Sequence, residues 1–148
     1  MNIRKIITEE TVRLSIAGET KQEIIRELLD VAVAAGLVSD AKAAFQALME
    51  RENKMSTALQ HGIAMPHAKT DAVERLVGVL GLKKAGVDFE SIDGQPTRIF
   101  IMTLSPLNRA GPHIQFLAEI GRQLSQPGIM DRILAAPSAG DLCDLLCE

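Results

Sequence analysis

"TRIFIMTLS", residues 97–105, holds the most apolar run of a 148-residue chain, and its reading decides the fold. Ile99 to Leu104 carries β-branched and large apolar residues without the in–out alternation of a half-exposed strand. Such a run is covered on both faces, as in α/β sheets with helices on each side. SIDGQPT precedes it, and Asp93-Gly94 there marks a turn. The remaining chain must then supply neighbouring strands and two layers of helix.

Upstream, "TALQ" (57–60), "GIAMP" (62–66) and "RLVGVLGLKK" (75–84) are short β-type runs punctuated by Gly and Pro. Val12, Leu14 and Ile16 at period two predict another strand over 12–16. Two helices lie between. Thr20 and Glu23 have capping-box spacing before Ile24, Ile25, Leu28, Leu29, Val31 and Ala32, and Gly36 offers a stop. Asp40 starts the second helix, with Ala44, Phe45, Leu48 and Met49 inward. Downstream, Pro112 takes a first helical position, with Ile114, Leu117, Ile120 and Leu124 as the buried stripe. Residues 128–136 form a short helix, and Ser138 with Asp141 caps the last one before LCDLLC. There are no repeats and no linker, so residues 1–148 are expected to form one domain: an α/β sandwich, a mixed sheet flanked by helices on both faces.

Composition excludes several function classes. The net charge is -3 with no basic block, and the chain has no Trp, no Tyr and four Phe, so a nucleic-acid partner is not expected. No apolar run approaches the roughly 18 residues of a membrane span, which argues against membrane insertion. Acidic residues interrupt MNIRKIITEET where a secretory signal needs its apolar core. Cys143 and Cys147 share a helical face and read as small buried apolar residues rather than a disulfide framework. A reduced, cytoplasmic protein is expected.

The chemistry concentrates in "HGIAMPH", residues 61–67, which holds two of the three histidines. Metal ligation, handling of a chemical group, and packing all compete for it. His61, His67 and His113 could supply a His₃ zinc site, but no HExxH or HxH spacing specifies one, so no metal is expected. GxxxxGK[ST], a strand-following GxGxxG and GxSxG are absent. A group handled here therefore arrives already activated on another molecule, and no cofactor is expected. A neutral imidazole is a good nucleophile near neutral pH, and nitrogen-bound phosphoryl leaves readily. A carrier histidine needs an exposed nitrogen, and cations and N–H donors for roughly two arriving negative charges. Pro66 would fix the backbone before His67, and His113 at a predicted helix start suits the phosphoryl oxygens.

"RENKMSTALQHGIAMPHAK", residues 51–69, resembles the active-site segment of enzyme IIA components of the mannitol/fructose class. These belong to the bacterial phosphoenolpyruvate-dependent phosphotransferase system, and the class includes the nitrogen-regulatory IIA proteins. The likeness continues through "GVDFESIDGQPTRIFIMTLSP" and "HIQFLAEIGRQL". It implies the mannitol/fructose-type IIA fold, with His67 as phosphoryl acceptor and His113 contacting the phosphoryl group or orienting His67. Arg51 would hold the site and neutralise charge, and Thr57 lies in the same motif. The implied donor is an HPr-type phosphocarrier protein. The implied recipient is a IIB component for fructose- or mannitol-like sugar uptake, or a regulatory protein partner in the nitrogen-regulatory alternative. No metal or nucleotide is implied. Two departures stand out: Ala58 and Gln60 replace glycines of the family pattern, and His61 replaces an asparagine near the active site. A titrating His61 supporting the phosphoryl site would make transfer sensitive to pH. Plainer readings remain: Arg51 as a cation at a helix C-terminus, His113 as an exposed first-turn residue, His61 as a solvent-facing residue.

Overall fold

The computed structural model describes residues 2–147. Helix α1, Lys21–Ala34, begins at the capping box: Glu23 N–H donates to Thr20 Oγ1 (3.1 Å) and Thr20 N–H to the Glu23 carboxylate (3.2 Å). It ends at Gly36, whose left-handed φ of 76° lets Leu37 N–H reach Ala32 O (3.1 Å) and Gly36 N–H reach Val33 O (3.0 Å). Asp40 caps α2, Ala41–Lys54, by accepting the Ala43 N–H at 3.0 Å. Ala44 and Leu48 are buried, with Phe45 and Met49 packed at the margin. The same face carries one residue absent from the expected stripe: Glu52 follows Ala44 and Leu48 at helical spacing and is buried.

Among the described residues five strands make one mixed sheet in the order β1-β4-β5-β2, with β3 also pairing β5. They are β1 (Val12–Arg13), β2 (Ile63–Ala64), β3 (His67–Lys69), β4 (Val77–Val87) and β5 (Thr97–Ser105). β4 and β5 are antiparallel; β1 runs parallel to β4, and β2 and β3 run parallel to β5. The expected central strand is β5, with seven of nine side chains buried without a break from Ile99 to Ser105. Its Phe100, Met102 and Leu104 join Val77 and Val79 against α1 and α2. Its Ile99 and Ile101 join Leu80 and Leu82 against the other layer, made of α3 (Ala110–Leu124), α4 (Ile129–Leu134) and α5 (Ala139–Cys147). Each such fully buried side chain contributes about 2 kcal/mol, which fixes both layers on the sheet. Gly81 on β4 permits this closeness, because a Cβ there would collide with Ile16 and Leu28.

Four expectations need correction. The strand over 12–16 shrinks to Val12–Arg13, because only those two residues pair with β4, at Leu80 and Gly81. Ile16 stays beside β4 through its N–H to Leu82 O (2.8 Å) and its carbonyl, which accepts from Lys83 Nζ (3.2 Å). "TALQ" is no strand: Ala58 makes one antiparallel bridge to Ala64, and the chain turns at once. α3 begins two residues before Pro112, at Ala110. Its buried stripe is Phe116, Ile120 and Gln123, with Leu117 and Leu124 at the margin, while Ile114 is 65% exposed. The helix is rotated because His113, not Ile114, takes the inward position and reaches a polar partner on β5.

The C-terminal helices follow expectation. Gly128 (φ 75°) leads into α4, Ser138 Oγ accepts the Asp141 N–H at 3.1 Å, and Cys143 packs among Leu142 and Leu146. Burial pushes the Cys143 and Cys147 thiols up from their ordinary value. No helix among the described residues is long and apolar enough to cross a membrane.

Candidate functional site

After α2 the chain doubles back on itself. Leu59 N–H bonds Ile63 O (2.7 Å) and Met65 N–H bonds Thr57 O (3.0 Å). The reversal rests on two consecutive left-handed residues, His61 (φ 63°) and Gly62 (φ 78°). That pair of angles belongs to the type I′ turn, whose favoured sequence is Asn-Gly. Histidine, like asparagine, is among the few non-glycine residues enriched at positive φ. The backbone thus accounts for His61 at the asparagine position. Ala58 and Gln60 are not among the positive-φ residues, so glycine is not required at either.

The turn stands far from the second histidine. β2 pairs Ile63 with Ile99 and β3 pairs His67 with Thr103, so Gly62 and His67 lie five positions apart along β5, roughly 16 Å. His61 is exposed, and its N–H bonds Asp93 Oδ2 at 3.1 Å. N–H donors from Gln95 and then His61 hold the Asp93 carboxyl below its usual value. The three histidines do not converge, and among the described residues no group of three metal-ligating side chains does.

At the other end, Pro66 separates β2 from β3. Its ring fixes its own φ and forces Met65 into an extended conformation, which aims the Met65 carbonyl. His67 Nδ1 lies 2.9 Å from that carbonyl oxygen. A carbonyl only accepts, so Nδ1 carries the proton and the lone pair of the neutral ring is on Nε2. Pro66 O in turn accepts the Thr103 N–H at 3.0 Å, which locks this segment to the central strand.

His113 comes from the first turn of α3. Its ring centroid is 5.6 Å from that of His67, and its Nε2 shares a 3.0 Å hydrogen bond with the Thr103 hydroxyl. Burial first, then like-charge repulsion with His67 and Lys69, holds the His113 pKa below its ordinary 6.5. The shift favours the neutral imidazole of His113. The helix start has no side-chain cap from Arg109, so first-turn N–H groups and the positive end of the helix dipole remain there. Two half-buried imidazoles, the Lys69 ammonium and a helix N-terminus suit an arriving anion.

Of the other expected site residues, Thr57 joins this pair through Met65, and Arg51 lies at the end of α2. Arg51 donates from its guanidinium to Met55 O (2.8 Å), closing the last turn of α2. Thr57 is buried, bonding Met65 through its carbonyl and Glu52 through its N–H (2.8 Å) and hydroxyl (2.5 Å). Sequence reasoning missed Thr103, Lys69, Glu52 and Lys21, whose Nζ bonds Glu52 at 3.0 Å. A signal existed for two of them. Glu52 continues the Ala44–Leu48 spacing, and Thr103 is a polar residue two positions beyond Ile101 on the α3-facing side of an apolar strand.

Residues 5–148 match the family described as phosphoenolpyruvate-dependent sugar phosphotransferase system, EIIA 2. The chain belongs to this family. It is 36% identical to the fructose-specific EIIA component of Haloferax volcanii, over 99% of this chain and 96% of that one. It is 30% identical to a nitrogen regulatory protein of Bradyrhizobium diazoefficiens, over 99% and 95%. The family fold is equally plain in space. The nitrogen regulatory protein IIA-Ntr of Neisseria meningitidis superposes with a TM-score of 0.87 at 25% identity, covering 97% of this chain and 98% of that one. The mannitol enzyme IIA of Escherichia coli, solved in complex with phosphorylated enzyme IIB, gives 0.79 at 26% identity, covering 93% and 94%.

Proposed function

We propose that the chain is a single-domain, cytoplasmic phosphocarrier that takes a phosphoryl group on His67 Nε2 and hands it to a IIB component for uptake of a fructose-like sugar. One observation carries the reading: the Met65 carbonyl holds the Nδ1 proton, leaving the nucleophilic lone pair at Nε2 on a half-exposed ring beside His113. The Nε2 lone pair attacks the phosphorus of a phosphohistidine on an HPr-type donor. The donor's P–N bond breaks and its electron pair stays on the donor imidazole. The His67 ring becomes positively charged, which strengthens its Nδ1–H bond to Met65 O. Lys69 and the α3 N-terminus offset the phosphoryl charge beside the His113 imidazole. Thr57 supports the segment through Met65, Arg51 closes the end of α2, and neither metal nor cofactor enters the step. The 36% identity to a fructose-specific component supports the sugar class, and the IIA–IIB complex of a structural relative supports the recipient.

A second reading has its own observation. The TM-score of 0.87 with a nitrogen regulatory IIA protein favours a chain whose phosphorylation state controls binding to a regulatory partner. Both readings share the first step. Incubation with phosphoenolpyruvate, enzyme I and HPr, followed by intact-mass measurement, tests it. The expected result is an acid-labile gain of one phosphoryl group, lost in His67→Ala. No gain, or a gain that persists in His67→Ala, overturns the assignment. Subsequent loss of the group to a IIB protein favours the uptake reading.

A further inference from the structure

Glu52 has no part in the step above, yet it is a carboxylate whose side chain is 1% exposed. Burying a carboxylate is costly unless several donors meet it. Three do: Thr57 N–H at 2.8 Å, Thr57 Oγ1–H at 2.5 Å and Lys21 Nζ at 3.0 Å. Lys21 also donates to Ser56 Oγ (3.1 Å), and Ser56 Oγ donates to Phe89 O (2.7 Å). Residues 56 and 57 are thus gripped at side chain and backbone from α1, α2 and the segment after β4. An ion pair serving stability alone could be replaced by apolar packing at little cost. This one is aimed at a single point of the chain, and that point leads to the candidate acceptor.

We propose that Glu52, held by Lys21, is a positioning residue for His67. It fixes Thr57, whose carbonyl accepts the Met65 N–H (3.0 Å), and the Met65 carbonyl then accepts the His67 Nδ1–H (2.9 Å). The N–H and carbonyl bonds at Thr57 belong to different peptide units, as do those at Met65. What passes along the chain is therefore position rather than polarisation. Displacing Thr57 tilts the hairpin 57–65, moves the Met65 oxygen off Nδ1, and lets the ring place its proton on Nε2 instead. A ring protonated at Nε2 has no lone pair there to attack phosphorus. The kinetic consequence rests on the proposed phosphocarrier function; the tautomer consequence does not.

The test uses the full chain with ¹⁵N-labelled histidine and reads the ring tautomer of His67 from its long-range ¹H–¹⁵N correlations. Wild type is expected to show His67 protonated at Nδ1 alone in its neutral form. Glu52→Gln and Thr57→Val should each bring in the Nε2–H form. Both should also slow the maximal rate of phosphoryl uptake from phospho-HPr by roughly 10- to 100-fold, with donor affinity retained. Thr57→Ser, which keeps the hydroxyl, should restore both readouts. If Glu52→Gln fails to fold, the Thr57→Val and Thr57→Ser pair decides alone. Folded variants with the wild-type tautomer overturn the proposal whether or not their rates fall. A wild type that takes no phosphoryl group while the tautomer shifts as expected would refute the carrier function and leave the positioning role standing.

Discussion

The two ends of HGIAMPH place the same side chain in opposite physical situations. At His61 the backbone is unusual and the ring is free: φ is 63°, the imidazole is exposed, and the bond to Asp93 comes from the main chain. At His67 the backbone is an ordinary strand start and the ring is constrained, with Nδ1 on Met65 O and His113 5.6 Å away. One histidine is suited to its place by conformation, the other by chemistry. Residue type alone does not separate these cases; the turn and the proline between them do.

Exchanging roles between the two ends is the way to break that comparison. The largest effect is expected on the chemical side. His113→Ala, which leaves His67 in place but removes its neutral neighbour, should slow phosphoryl uptake about 100-fold without abolishing it, as rapid-quench measurement of the uptake rate would show. An unchanged rate would make His113 a bystander. On the conformational side, Gly62→Ala forces a side chain into φ 78° and sets a Cβ 3.3 Å from Pro96 O, so thermal or urea unfolding should report a loss of about 1–2 kcal/mol. His61→Val should lose a similar amount for the same reason, with phosphoryl uptake nearly intact. A smaller effect follows from the depressed pKa of His113. Below pH 6.5 the unfolded chain binds a proton that the folded chain resists, so unfolding free energy rises with pH across that window and falls as the solution is acidified. His113→Gln should flatten the dependence of Tm on pH between about 5 and 7, relative to wild type. The smallest effect is expected for His61→Asn, which keeps a residue tolerant of positive φ: stability and uptake rate should both stay within about twofold of wild type from pH 5.5 to 8. A pH-dependent change in uptake confined to His61→Asn would restore the titrating role that the turn geometry argues against.

Much of this was legible in the residues. The capping box at Thr20 and Glu23, the Gly36 stop and the unbroken apolar run of β5 are local signals, each tied to one backbone conformation. The short edges were not, because β1 and the 57–60 segment are decided by what lies alongside them rather than by their own composition. α3 was misread by one face because its inward position is held by a histidine bonding Thr103, and polarity at that point looked like surface. Glu52 escaped for the same reason: a carboxylate on an apolar stripe is assumed to be exposed until its donors, Thr57 and Lys21, are seen around it. The resemblance reached His67, His113, Arg51 and Thr57 but gave no role to Glu52, Lys21 or Thr103, whose bonds fix their places.

The central claim is that a carbonyl two residues before His67 decides which ring nitrogen reacts. ¹⁵N spectra of the histidine-labelled protein, recorded after phosphorylation by phosphoenolpyruvate, enzyme I and HPr, test it directly. The account predicts phosphorus coupled to Nε2 of His67 with a proton retained on Nδ1. A phosphoryl group on Nδ1 of His67, or on His61 or His113, would contradict it.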